Sequence, residues 1–308
     1  MKRRDKIRQR NNDEQRESIL IVAIGQKGVG KSYRSLRELI LAVNGDKKRG
    51  IKPRKALIFD VTNEFQIAKP IALADVKRWA DVGKIEMRRI QIFKAKKDTD
   101  LMWNGKKVYN TANPKMTLNE MTNVLNYILD NYHDGILLVE DINKYISDSL
   151  PSDLIGAIVT QRHLGVDIIL HFQVIEKYGH PKILGNTNVV RIHKYFGSVM
   201  RHESKFGERT IPLLICEEIL NNRYKKSVTR AEKSFYVYYD ADNNKIMGKF
   251  SKEEFTNALE RVLEKYYNKL VKPVINSVDL KTGEKKYKDR NDAIAKIINE
   301  YTENYFGN

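Results

Sequence analysis

From Gly25 to Ser32 the chain reads Gly-Gln-Lys-Gly-Val-Gly-Lys-Ser, which meets every fixed position of the pattern G-x-x-x-x-G-K-[ST]. The chemistry of such a run is phosphate binding. Its glycines let backbone N–H groups turn inward around a phosphate, and the start of the following helix adds a favourable dipole. In this pattern Lys31 bridges the β and γ phosphates of a nucleoside triphosphate and Ser32 ligates Mg²⁺. Gly25, Gln26, Lys27, Gly28, Val29, Gly30 and Tyr33 complete the candidate nucleotide-binding set. Lys27 lies in the variable part of the loop and is assigned only a share of the general positive field.

Three further stretches could act on that phosphate. The apolar run from Gly135 to Val139 ends in the acids Glu140 and Asp141. One carboxylate of such a pair can hold the Mg²⁺ shell while the other orients or deprotonates the attacking water. A helix N-terminal cap is the other reading of the same pair. A second apolar run, following Arg162, closes on Gln173, a neutral group able to sense a γ-phosphate and position water at a sheet edge. The third stretch is Leu57 to Phe65, where Asp60 and Glu64 either reach metal-bound water or stand as solvated loop acids.

These residues need a scaffold, and the apolar pattern supplies one. Short apolar runs alternate with longer amphipathic segments, as in an α/β domain with a mainly parallel sheet sandwiched by helices. The pattern predicts strands over 19–24, 56–60, 90–93, 135–139, 167–172 and 189–195, and helices over 31–43, 118–132 and 152–163. Residues 1–17 read as a flexible basic arm, 18–205 as the nucleotide-binding core, and 206–308 as a small α/β extension for docking or oligomerisation. The extension is predicted to hold a helix over 211–224, two strands in 234–250, and helices after Ser251 and over 292–305. Asn104-Gly105 predicts a tight hairpin inserted in the core, with Lys106 and Lys107 at its tip.

With 308 residues the chain can bury a sizeable core, and 41% hydrophobic content argues against disorder as its main state. A formal charge of +17 makes nucleic acid the first polyanionic partner to consider and an anionic membrane surface the second. The single cysteine, Cys216, excludes an intramolecular disulfide and a Cys-based zinc site, which suits a reducing compartment. No apolar run approaches the roughly 20 residues that span a bilayer, and none follows the basic N-terminus as a signal peptide would require. The expectation is a cytoplasmic protein without membrane insertion.

In order along the chain, these four elements resemble the HerA/FtsK superfamily of P-loop ATPases, including viral genome-packaging ATPases and the Zot-like phage proteins. Asp60 to Phe65 looks like the superfamily's D-P-K-G-E-[YF] segment, and Arg162 to Gln173 looks like its R-K-x-G followed by a strand ending in a sensor glutamine. The stretch Ile183 to Tyr195 is similar to the segment before the last core strand. The family ends its acidic strand in Asp-Glu, whereas this chain has Glu140-Asp141, so the roles of the two acids stay open between metal shell and base. The resemblance implies ATP and Mg²⁺ at the site and a homo-oligomeric ring, usually hexameric, that moves DNA through backbone contacts. It also implies an arginine finger from a neighbouring subunit, with Arg162, Arg191 and Arg201 as candidates. The function so implied is a phage or mobile-element packaging motor with a portal or capsid protein as a further partner. The alternatives are a Zot-like assembly ATPase and a non-catalytic nucleotide-binding switch.

Overall fold

The apolar runs pair into a nine-stranded sheet. The computed structural model describes residues 18–142, 156, 158, 160, 164–278, 283 and 285–307. Its strands are β1 (Leu20–Ile24), β2 (Lys55–Asp60), β3 (Lys69–Pro70), β4 (Met87–Gln91), β7 (Gly135–Val139), β8 (Val166–Phe172), β9 (Val189–His193), β10 (Tyr236–Asp240) and β11 (Lys245–Gly248). Their order across the sheet is β11-β10-β9-β1-β8-β7-β2-β4-β3; the seven strands from β9 across to β3 run parallel, and β10 lies antiparallel between β9 and β11. The main helices are α1 (Lys31–Asn44), α2 (Val76–Val82), α3 (Leu118–Asn131), α4 (Pro181–Asn186), α5 (Thr210–Lys226), α6 (Lys252–Lys265) and α7 (Arg290–Tyr305).

Alternation along each strand divides the apolar residues between two layers. Leu20, Val22 and Ile24 of β1 join Ile168, Leu170 and Phe172 of β8 in the larger core, which α3, α5, α6 and α7 complete. Ile169 packs on the opposite face with Ala56, Ile58, Leu138 and Leu39 of α1. The central strands are therefore apolar on both faces, as a covered parallel sheet requires.

The strand predicted at 90–93 instead occupies Met87–Gln91, in register with β2 from Ala56 opposite Met87 to Asp60 opposite Gln91. Two consecutive arginines disguise its start. Arg89 is buried in an ion pair with Asp60 at 2.9 Å, so a charge that reads as loop is neutralised inside the sheet. Phe93 lies beyond the strand and is 54% exposed. Of the helix predicted over 152–163, only residues 156, 158 and 160 are described, and all three are helical.

The C-terminal strands extend the core's own sheet, because β10 pairs with β9 from Tyr236 opposite His193 to Asp240 opposite Val189. Ile215, Leu259, Val262 and Ile297 of the C-terminal helices share the larger core with β1 and β8. The Asn104-Gly105 hairpin forms between β5 (Met102–Trp103) and β6 (Lys106–Lys107), with φ of 48° and 76° at its two turn residues. Trp103 Nε1 donates to Asp130 at 2.9 Å, which ties the hairpin to the end of α3 that leads into the start of β7. That end of α3 lies at the sheet edge opposite the glycine-rich loop.

Candidate nucleotide-binding and hydrolysis site

Parallel strands finish at one edge of the sheet, so the residues after β1, β2, β7 and β8 meet there. The glycine-rich loop follows β1, Thr62 follows β2, Glu140 and Asp141 follow β7, and Gln173 follows β8. Because β8 lies between β1 and β7, Gln173 falls between the loop and the acid pair.

The loop is held from both sides. Gly25 N donates to Phe172 O at 3.1 Å and Gln26 N donates to Lys194 O at 2.8 Å. Val29 is buried and its carbonyl accepts from His193 Nδ1 at 3.1 Å. Gly28 and Gly30 have φ of 84° and 85°, a left-handed conformation that glycine adopts without steric cost. Gly25 is required for a different reason: a Cβ there would sit 2.7 Å from His193 Cβ. Lys31 opens α1 and is 7% exposed, with its ammonium donating to Gly25 O at 2.6 Å. Burial lowers its pKa against the pull of Asp141, Glu140 and Glu64. Lys27 and Tyr33 are exposed, whereas Gln26 is half-buried and donates through Nε2 to Tyr224 OH at 3.3 Å.

Glu140 and Asp141 are both buried, and their partners differ. One Glu140 oxygen lies 3.5 Å from Ser32 Oγ, and the other accepts from the Thr62 hydroxyl and from Thr62 N at 3.3 Å. Burial pushes the Glu140 pKa up to about 8; the Thr62 hydroxyl opposes the shift, and the nearby Glu64, Asp60 and Asp141 carboxylates add to it. Asp141 has a φ of 44° and accepts from Gln173 Nε2 through both oxygens, at 2.9 and 3.0 Å. A hydroxyl beside a crowded carboxylate is a hard oxygen donor set, and the excess negative charge there is what a divalent cation relieves. These residues fit Mg²⁺.

The other acids and arginines separate by burial. Asp60 accepts from Glu64 N at 3.0 Å and Phe65 N at 3.1 Å and pairs with Arg89, so it builds the turn after β2 and is no solvated loop acid. Glu64 is exposed. Arg191, a finger candidate by sequence, is fully buried in β9 and donates to Glu38 and to Ser35 Oγ, so it cannot reach a neighbouring subunit. Ser35 Oγ in turn lies 2.7 Å from His171 Nε2, a contact linking α1 to β8. Burial drives the pKa of both His171 and His193 well down, leaving neutral imidazoles. Arg201 is exposed, and Arg162 lies outside the described residues. Thr62 is the site residue that sequence reasoning passed over. It stands between Asp60 and Glu64, and only its hydroxyl hinted at a polar role.

A glycine-rich loop after a central parallel strand, with an acid pair beyond one intervening strand, defines the P-loop NTPase fold. Among solved structures, the chain is similar to the genome packaging NTPase B204 from Sulfolobus turreted icosahedral virus 2 in complex with AMPPCP. The identity is 15%, the match covers 75% of this chain and 96% of that one, and the TM-score is 0.44. It is also similar to the pCW3 conjugation coupling protein TcpA with ATPγS, at 10% identity over 79% of this chain and 65% of that one, with a TM-score of 0.39. The ATPase DotB of Legionella pneumophila matches at 13% identity over 60% of this chain and 43% of that one, with a TM-score of 0.31. No protein-family model and no curated protein matches the sequence. Among the described residues, no helix is long and apolar enough to cross a membrane.

Proposed function

We propose that this chain is an ATP-hydrolysing DNA translocase, a genome-packaging type of motor that works as a homo-oligomeric ring. The observation that carries the hydrolytic reading is the division of labour in the acid pair, with Glu140 turned to Ser32 and Thr62 and Asp141 turned to Gln173. In this reading Lys31 leaves the Gly25 carbonyl and binds the β and γ phosphates. Ser32 and Glu140 hold Mg²⁺, with Thr62 fixing the Glu140 rotamer. A bound Mg²⁺ neutralises charge on the phosphate oxygens. Asp141 takes the proton of the attacking water, and Gln173 orients that water and the Asp141 carboxylate. Arg201 and Arg162 are the candidates to reach a neighbouring subunit's site. The charge of +17 supports a grip on backbone phosphates that does not read bases, and a portal or capsid protein would be the docking partner.

DNA-stimulated ATP hydrolysis, measured with ATP affinity and assembly state, tests this. Lys31→Ala is expected to lose ATP binding and turnover together. Asp141→Asn is expected to keep ATP binding and lose on the order of 10² in kcat or more. Equal, mild effects of Glu140→Gln and Asp141→Asn would sink the assignment. ATP binding by the wild type without turnover, with or without DNA, would favour a nucleotide-binding switch.

A further inference from the structure

A cavity of about 680 Å³ opens beside the glycine-rich loop, on the side away from the acid pair. Its walls include Arg223 at the end of α5, Ser234, Phe235, Tyr236 and Tyr238 leading into β10, and Lys249 after β11. The volume falls in the range of small-molecule pockets. The wall touches the loop directly. A Cβ on Gly30 would lie 2.9 Å from Ser234 Cβ; beside that contact Gln26 Nε2 donates to Tyr224 OH, next in the chain to Arg223, and the Arg34 guanidinium of α1 sits 5.2 Å over the Tyr236 ring.

Polarity along the sheet edge gives the cavity its meaning. Strand order runs from β7 and β8 through β1 to β9, β10 and β11, so the acid pair and Gln173 lie on one flank of the loop and the cavity on the other. A triphosphate whose γ end faces Asp141 extends its nucleoside end in the opposite direction. The cavity's chemistry suits that end: aromatic faces for a base, with the Arg223 guanidinium 5.1 Å over the Phe235 ring. Its two acids are already engaged, Glu232 with the N–H groups of Val228 and Thr229, and Glu254 with Arg223 and the Ser251 N–H. Among the described residues, Arg223 Nε in the wall is buried with no hydrogen-bond partner, as is Gln26 Oε1 in the adjoining loop. Buried polar groups are nearly always satisfied, so a ligand that completes them is the economical account.

We propose that this cavity is the nucleoside subsite of the P-loop nucleotide, taking an aromatic base against Phe235 with Arg223 Nε as a donor to a ring nitrogen or carbonyl. The proposal rests on the reading of residues 25–32 as a triphosphate site. Binding of ATP and of inorganic tripolyphosphate to the full chain tests both, with Phe235→Ala removing the aromatic face and Ala231→Trp filling the cavity. Stacking on an aromatic side chain predicts that each variant weakens ATP roughly tenfold or more and leaves tripolyphosphate affinity unchanged. Unchanged ATP affinity in both variants overturns the subsite and leaves the phosphate site standing. A parallel loss of both ligands also overturns it, since the wall would then only brace the loop. Failure of the wild type to bind either ligand overturns the phosphate site and the subsite with it.

Discussion

Gly25 shows how a single residue type can be demanded twice. The nucleotide-binding pattern asks for glycine there on grounds of phosphate approach, and the fold asks for it because His193 of β9 stands 2.7 Å from where a Cβ would be. Gly25→Ala is therefore expected to push β9 away from the loop and to lower stability by about 1–3 kcal/mol, read as a fall in thermal midpoint. The same substitution should weaken ATP, because Val29 and Gln26 of the loop are hydrogen-bonded to His193 and Lys194 and would move with them. At this scale the sequence marked Lys31, Ser32, Glu140, Asp141 and Gln173 by type and position. It could not mark Thr62, whose partner Glu140 is 78 residues away, nor the buried fate of Arg191, whose partners Ser35 and Glu38 are 156 and 153 residues away.

Helix α3 illustrates what an element contributes. Thr117 and Glu120 form a reciprocal capping box at its start, and that motif is readable from spacing. Glu120 does more than cap. Its carboxylate also accepts from Lys94 Nζ at 2.8 Å and from the N–H groups of Asn110 and Thr111 at 2.7 and 2.9 Å, gathering the segment between β4 and α3. Burial alone would raise its pKa, but Lys94 and the backbone donors outweigh burial and hold it at about 2. A carboxylate with a depressed folded-state pKa contributes stability that is complete above its usual value near 4.5 and is lost as pH falls through about 2. Glu120→Gln should thus cost about 3 kcal/mol at pH 7 and much less near pH 2, measured by denaturant unfolding across that range. The strand β4 was less legible than α3. Its Arg88-Arg89 start looks polar until Asp60 of the neighbouring strand is placed against Arg89.

At the scale of the whole molecule, the nine-stranded sheet organises the described residues. Strands β10 and β11 cover the edge of β9, and α5, α6 and α7 pack into the core shared with β1 and β8. Removing 206–308 would expose the β9 edge and strip Ile215, Leu259, Val262 and Ile297 from that core. We expect the chain truncated after residue 205 to aggregate or lose cooperative unfolding, measured by circular dichroism and sedimentation, because an open apolar edge templates further pairing. The C-terminal region also walls the cavity beside the loop. Its composition alone suggested only a docking extension, since nothing in local pattern says which strand a hairpin will join.

The sequence by itself determined the phosphate loop, the parallel α/β plan and the identity of the acids and glutamine at the strand ends. These follow from local rules, namely motif spacing, apolar runs and caps, which act within a few residues. Tertiary structure decided what depends on strand order and burial. It set Gln173 between the loop and the acids, turned Glu140 to Ser32 and Asp141 to Gln173, withdrew Arg191 into the core, and laid the C-terminal hairpin against β9. Each of those contacts joins residues far apart in the chain, and pairing choice among strands of similar apolar pattern is settled by the packing of the whole sheet.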